Sequence, residues 1–168
     1  MEQYVCKTFR SSLLSIWRLN YIIAMKSYTI IFFLLLGLSC NAQKQEVQKC
    51  IESFFEGFHQ RDSSKIKLVC ADKMILQSIS ESTTKGNKLS NESTKEFYKS
   101  IASIPLNMKF QEKILSYNIQ IDGSMAHVWA PYEFYLNEKF SHSGVNTFTL
   151  FKEKDEWKII YLIDTRRR

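Results

Sequence analysis

The feature that most constrains this chain is a change of hydrophobic period at Pro105. Before it, apolar residues recur at helical spacing; after it they alternate, in long runs separated by two-residue turn signals. Residues 45–60 place Val47, Cys50, Ile51, Phe54, Phe55 and Phe58 on one stripe, with Glu46, Lys49, Glu52 and Glu56 opposite, which is the pattern of an amphipathic helix. Asp62 or Ser63 then caps a short second helix that carries Ile66, Val69 and Cys70. Residues 74–79 read as a first strand, and the polar stretch from Thr83 to Ser90, which holds Gly86-Asn87, reads as a loop. A third helix begins at Asn91 or Ser93, with Glu96 as the capping-box partner of Ser93. Phe97, Tyr98, Ile101 and Ile104 form its apolar side, and Pro105 ends it.

Four strands follow over residues 110–121, 125–136, 140–152 and 156–165, turned at Asp122-Gly123, Asn137-Glu138 and Lys154-Asp155. Helices first and a strand meander afterwards mean an α+β fold: a curved antiparallel sheet wrapped around three N-terminal helices. Taking the register from Asn137-Glu138 puts Ala126, Val128, Ala130, Tyr132 and Phe134 on one face. His127, Trp129, Glu133 and Tyr135 take the other, opposite Phe148, Asn146, His142 and Phe140. Both faces are apolar, whereas a half-solvated sheet alternates more cleanly. Helices are expected on one side and a second copy of the chain on the other. A single bulge would exchange the faces.

The N-terminal segment reads as a leader. Met25-Lys26-Ser27-Tyr28 is a short basic start, followed by an uncharged apolar run from Thr29 to Ser39. That run falls short of the ~20 residues a membrane span needs and fits a signal peptide, with cleavage after Cys40-Asn41-Ala42. Residues 1–24 are then an upstream extension ahead of the true start at Met25, residues 25–42 the signal, and residues 43–168 one domain. The expectation is an exported protein, periplasmic or secreted, with anchoring by lipidation of Cys40 as the alternative. Half of the formal charge of +6 lies in the leader. Without Lys7, Arg10, Arg18, Lys26 and Glu2 the domain holds 19 basic against 16 acidic residues, and Arg166, Arg167 and Arg168 supply most of that excess. No basic stripe interleaved with aromatics remains, so nucleic acid is not an expected partner. Cys50 and Cys70 lie at similar heights on the first two helices, as a disulfide or as two buried thiols.

The pattern resembles the nuclear-transport-factor-2-like superfamily, which includes SnoaL-type cyclases, ketosteroid isomerase, scytalone dehydratase and lumazine-binding-like exported proteins. The resemblance covers residues 45–165 and rests on three passages. They are Ile51-Glu52-Ser53-Phe54-Phe55-Glu56-Gly57-Phe58-His59-Gln60-Arg61-Asp62, the Asp122-Gly123-Ser124-Met125-Ala126 turn, and the closing Glu156-Trp157-Lys158-Ile159-Ile160. It implies a conical pocket between sheet and helices, and dimerisation through the outer sheet face. No catalytic set of the family's enzymes can be matched residue by residue, and the fold alone implies no activity.

Several residues are candidates for chemistry. Glu133 and His142, neighbours in the register above, would pair a carboxylate with an imidazole and so make a general base. Asn146 and Trp129 would add a hydrogen-bonding group and a stacking surface on the same face. The competing reading of Glu133 and His142 is an exposed ion pair of little consequence. Asp164 and Arg166 share a face beside Tyr132, where Arg166 would hold a ligand anion or simply close a salt bridge. His127 reads as a core or interface histidine, His59 as a helix C-terminal residue whose charge suits the dipole, and Phe54, Phe55 and Phe58 as core. There is no phosphate loop, metal-ligand spacing or nucleophile elbow, so neither cofactor nor metal is expected. The leading functional expectation is a domain that binds a small hydrophobic or heteroaromatic molecule. Its rivals are a lyase or isomerase using His142 with Glu133, and a dimeric protein-interaction module.

Overall fold

Two hairpin turns set the register of the long strands. Asn137 and Glu138 have φ of 50° and 65°, and Lys154 and Asp155 have 48° and 68°, so each pair occupies the left-handed region that two-residue hairpins with matched twist require. The structure, a computed structural model, describes residues 41–84 and 86–167; the expected leader, apart from Asn41 and Ala42, lies outside them. Gln43–Arg168 forms one compact unit.

Its first helix, α1, is seen over residues 41–60, of which 43–60 belong to this unit, followed by α2 (Ser63–Val69), β1 (Cys70–Ser80), β2 (Lys88–Glu92) and α3 (Thr94–Ala102). The second half is all strand: β3 (Phe110–Ile114), β4 (Asn118–Asp122), β5 (Met125–Leu136), β6 (Lys139–Glu153) and β7 (Glu156–Arg166). The fold is α+β, with an open seven-stranded sheet in the order β2-β1-β7-β6-β5-β3 and β4 also pairing with β5. The sheet is mixed rather than wholly antiparallel, because β1 runs parallel to β7.

Local chemistry explains most of the boundaries. Asp62 caps α2 by accepting from Ser64 and Lys65 backbone N–H groups. Ser93 and Glu96 form the expected capping box on α3. The turn from α1 to α2 needs Arg61 at φ 58°, and the N–H groups of Arg61 and Asp62 close onto the carbonyls of Phe58 and Gly57. One strand was hidden: β2 occupies part of the expected loop, and all five of its residues are exposed. A polar edge strand shows no alternation, so nothing in its sequence distinguishes it from a loop.

The expected 110–121 strand is broken into β3 and β4. Ile114 faces Tyr132, whereas Asn118 faces Trp129, so three residues of one chain oppose two of the other. The bulge sits against Pro131, which has no N–H for the ladder. It turns Phe110, Glu112 and Ile114 inward on β3 and Ile119 and Ile121 inward on β4. The α1 stripe of Val47, Cys50, Ile51, Phe54 and Phe55 packs with Ala126, Val128, Ala130, Phe148, Leu150 and Ile159 in one core. Cys50 and Cys70 are buried free thiols, and burial pushes both up to about 12.

Candidate functional site

A second bulge decides which polar side chains meet. Tyr135 pairs with Phe140 near the turn, but Phe134 pairs with His142, so Ser141 is the extra residue. From there on every pairing slips by one relative to the expected register: Glu133 faces Ser143, Tyr132 faces Gly144 and Ala130 faces Asn146. Glu133 and His142 are therefore not neighbours but lie on opposite faces. The Glu133 carboxylate accepts from Tyr135 Oη at 2.8 Å, while the His142 ring stacks on Phe134 at 4.9 Å and meets Tyr132 edge-on. The expected base and its orienter do not form a pair.

Trp129 and Asn146 part company for the same reason. Trp129 is half exposed on the outer face, and Asn146 is buried on the inner one, at 4% exposure. His127, expected in a core or interface, is exposed. A separate irregularity in the β6–β7 ladder, where Ile160 is the extra residue between the Leu150–Ile159 and Thr149–Tyr161 pairs, sets Asn146 directly opposite Asp164 on β7.

Around that pair the inner face carries a polar cluster. Asn146 Nδ2 donates to Glu112 Oε1 at 2.6 Å. Tyr132 Oη donates to the Thr165 carbonyl at 2.9 Å and lies 3.3 Å from Asp164 Oδ2. Arg166 Nε closes on the same Asp164 oxygen at 2.7 Å. Gly144 makes the arrangement possible: a Cβ there would sit 1.7 Å from the Thr165 carbonyl oxygen and 2.9 Å from the Tyr132 ring. Only a residue without a side chain lets β6 pass so close to that carbonyl.

Glu112 draws no notice in the sequence, where it is one polar residue of the expected 110–121 strand. Its backbone N–H donates to His59 Nε2 at 3.0 Å, which ties β3 to the end of α1. That bond also revises the reading of His59: burial holds its pKa below the ordinary value, so it is a neutral acceptor rather than a charge on the helix dipole. Burial pushes the Glu112 carboxyl up to about 7, against the downward pull of the Asn146 hydrogen bond, with Asp164 adding repulsion. Burial and the neighbouring acids raise Tyr132 far above the ordinary phenol range.

Glu112, Asn146, Asp164 and Arg166 line a cavity of about 240 Å³ between the sheet and the helices. Its aromatic wall is Phe54, Phe55, Phe58 and Phe97, with Phe54 stacked on Phe97 at 6.1 Å. Its polar wall is Glu92, Glu112, Asn146, Asp164 and Arg166. Phe54 and Phe55 are thus core and lining at once. His142 and Arg167 instead line a wider cleft that shares Arg166 with this cavity, and Arg167 is held by a bridge to Ser143 rather than free as a tail. Among the described residues no His, Cys, Asp and Glu group is arranged to hold a metal, and no helix is long and apolar enough to cross a membrane.

The model of the family described as "Putative lumazine-binding" matches residues 42–161. An NTF2-like protein from Cytophaga hutchinsonii superposes with a TM-score of 0.60 at 12% identity, over 74% of this chain and 98% of that one. A protein of unknown function with a cystatin-like fold, from Nostoc punctiforme, gives 0.58 at 13% identity over 74% and 90%. An NTF2-like protein of unknown function from Shewanella baltica gives 0.57 at 14% identity over 76% and 95%. At such identities the likeness establishes the fold and carries no chemistry. No curated protein matches the sequence.

Proposed function

We propose, from the premise that the chain belongs to the lumazine-binding-like family of the nuclear-transport-factor-2-like superfamily, that the inner cavity binds a small molecule with a flat or apolar body. One observation carries the reading: four phenylalanines face a hydrogen-bonding cluster across a partly open cavity of about 240 Å³. A ligand site has this division, a large apolar lining with a few placed polar groups. Asn146, Glu112 and Asp164 would fix orientation, and the phenylalanines would supply contact area and stacking.

The experiment is a thermal-shift screen of small apolar and heteroaromatic compounds, lumazine among them, on the domain from residue 43. Saturable stabilisation by at least one compound is expected, and Phe54→Leu should weaken it. No shift with any compound would overturn the reading. Two companion proposals concern the chain's setting. The exposed Met125, Trp129 and Phe151 of the outer face support a homodimer through the sheet, which sedimentation would read as twice the monomer mass. Export with removal of the leader would be read by N-terminal sequencing, with Gln43 expected first.

A further inference from the structure

The lining of the cavity is unbalanced in charge, and the imbalance names a class of ligand. Three carboxyl groups, Glu92, Glu112 and Asp164, face it against a single guanidinium, Arg166, and neither lysine nor histidine lines it. Arg166 is already spent on Asp164 through the 2.7 Å contact. Among the described residues no cation forms an ion pair with Glu92 or Glu112, on which Arg166 acts only through its field, and burial raises the pKa of both.

A second observation, independent of the acid count, points into the same space. Glu112 is only half satisfied: Oε1 accepts from Asn146, and among the described residues no side chain bonds to Oε2. That oxygen is not sealed in protein either, since it is absent from the fully buried unpaired atoms and its residue lines the cavity. A ligand that fills the cavity shuts water away from that oxygen and must bring a donor to it, because an unmet buried acceptor is costly. Facing it are Phe54, Phe55, Phe58 and Phe97, and the faces of aromatic rings attract cations. Rings and a carboxylate together suit an organic ammonium.

Resting on the binding reading above, we propose that the natural ligand is a small cationic amine, its ammonium bonded to Glu112 and its apolar part held among the four phenylalanines. The volume lies below the ~300 Å³ where drug-sized pockets begin, so the amine carries a single ring or a short chain. Ammonium binding requires Glu112 ionised, and so couples to pH. The other charged or titratable groups around Glu112 are His59 on α1, Glu92 on β2, Tyr132 on β5, and Asp164 and Arg166 on β7.

The test compares three compounds of one shape: phenethylamine, 2-phenylethanol and 3-phenylpropionate, titrated by calorimetry at pH 5.5 and pH 8. The amine is expected to bind tightest at pH 8 and at least about tenfold more weakly at pH 5.5, as protonation of Glu112 competes. Glu112→Gln should remove both the preference for the amine and its pH dependence. The wild-type pH profile reads the same claim should that variant fold poorly. Equal binding of amine and alcohol, tighter binding of the carboxylate, a flat pH profile, or no binding of any of the three would overturn the amine assignment. Stabilisation by other chemistry in the broader screen would still leave the binding reading standing.

Discussion

The two faces of β5 and β6 are built from the same kinds of residue and have different fates. On the inner face Ala126, Val128, Ala130, Tyr132 and Phe148 are sealed, and Asn146 is sealed with them. On the outer face Met125, Trp129 and Phe151 are about half exposed. Hydrophobicity does not tell the faces apart, since both carry aromatics. The polar residues do: an amide, two carboxyls and a phenol gather where water is scarce, and buried polar groups persist only with partners or a use. In the reading proposed above, the inner face serves as a site as well as a core, and the outer face as a surface for a second copy.

The sharpest way to break that contrast is at Gly144. Gly144→Ala drives a methyl into the Thr165 carbonyl, which lies 1.7 Å from the ideal Cβ position, so β6 and β7 must separate. We expect a loss of about 3 kcal/mol in urea unfolding. A change below about 0.5 kcal/mol would mean that β6 and β7 are not packed this closely.

Glu112→Gln comes next and depends on pH. The folded-state pKa is raised from 4.5 to about 7, so the folded protein holds this proton more tightly than the unfolded chain does. The associated stability is complete below pH 4.5, falls as pH rises to 7 and is constant above. Relative to Glu112→Gln, the wild type should lose about 3 kcal/mol between pH 4.5 and 8. Parallel curves for the two proteins across that range would remove the desolvated acid from the account.

The smallest effect belongs to the outer face. Trp129→Thr should change monomer stability by about 1 kcal/mol or less, in line with a half-exposed site, yet weaken self-association measurably. A cost above that of Gly144→Ala would invert the comparison.

Much of the fold is legible in the sequence, because its signals are local. The period change at Pro105, the Ser93–Glu96 box and the two-residue turns each depend on a few adjacent residues. Register depends on one extra residue. Ser141 bulges on β6 and so separates Glu133 from His142, and Ile160, the extra residue on β7, sets the register that places Asn146 opposite Asp164. Tyr132, Asn146, Asp164 and Arg166 draw notice in the sequence as polar residues on apolar strands. Glu112 does not, since its burial comes from His59 and α1, 53 residues earlier in the chain. Only tertiary packing makes that carboxyl different from its exposed neighbours.

Carbon-detected NMR titration of the Glu112 side-chain carboxyl tests the enclosed polar cluster most directly. A midpoint near 7 is predicted, moving higher in Asn146→Ala, where the stabilising amide is gone. A midpoint near 4.5, unmoved by that substitution, would show a solvated carboxyl and an inner face with no site in it.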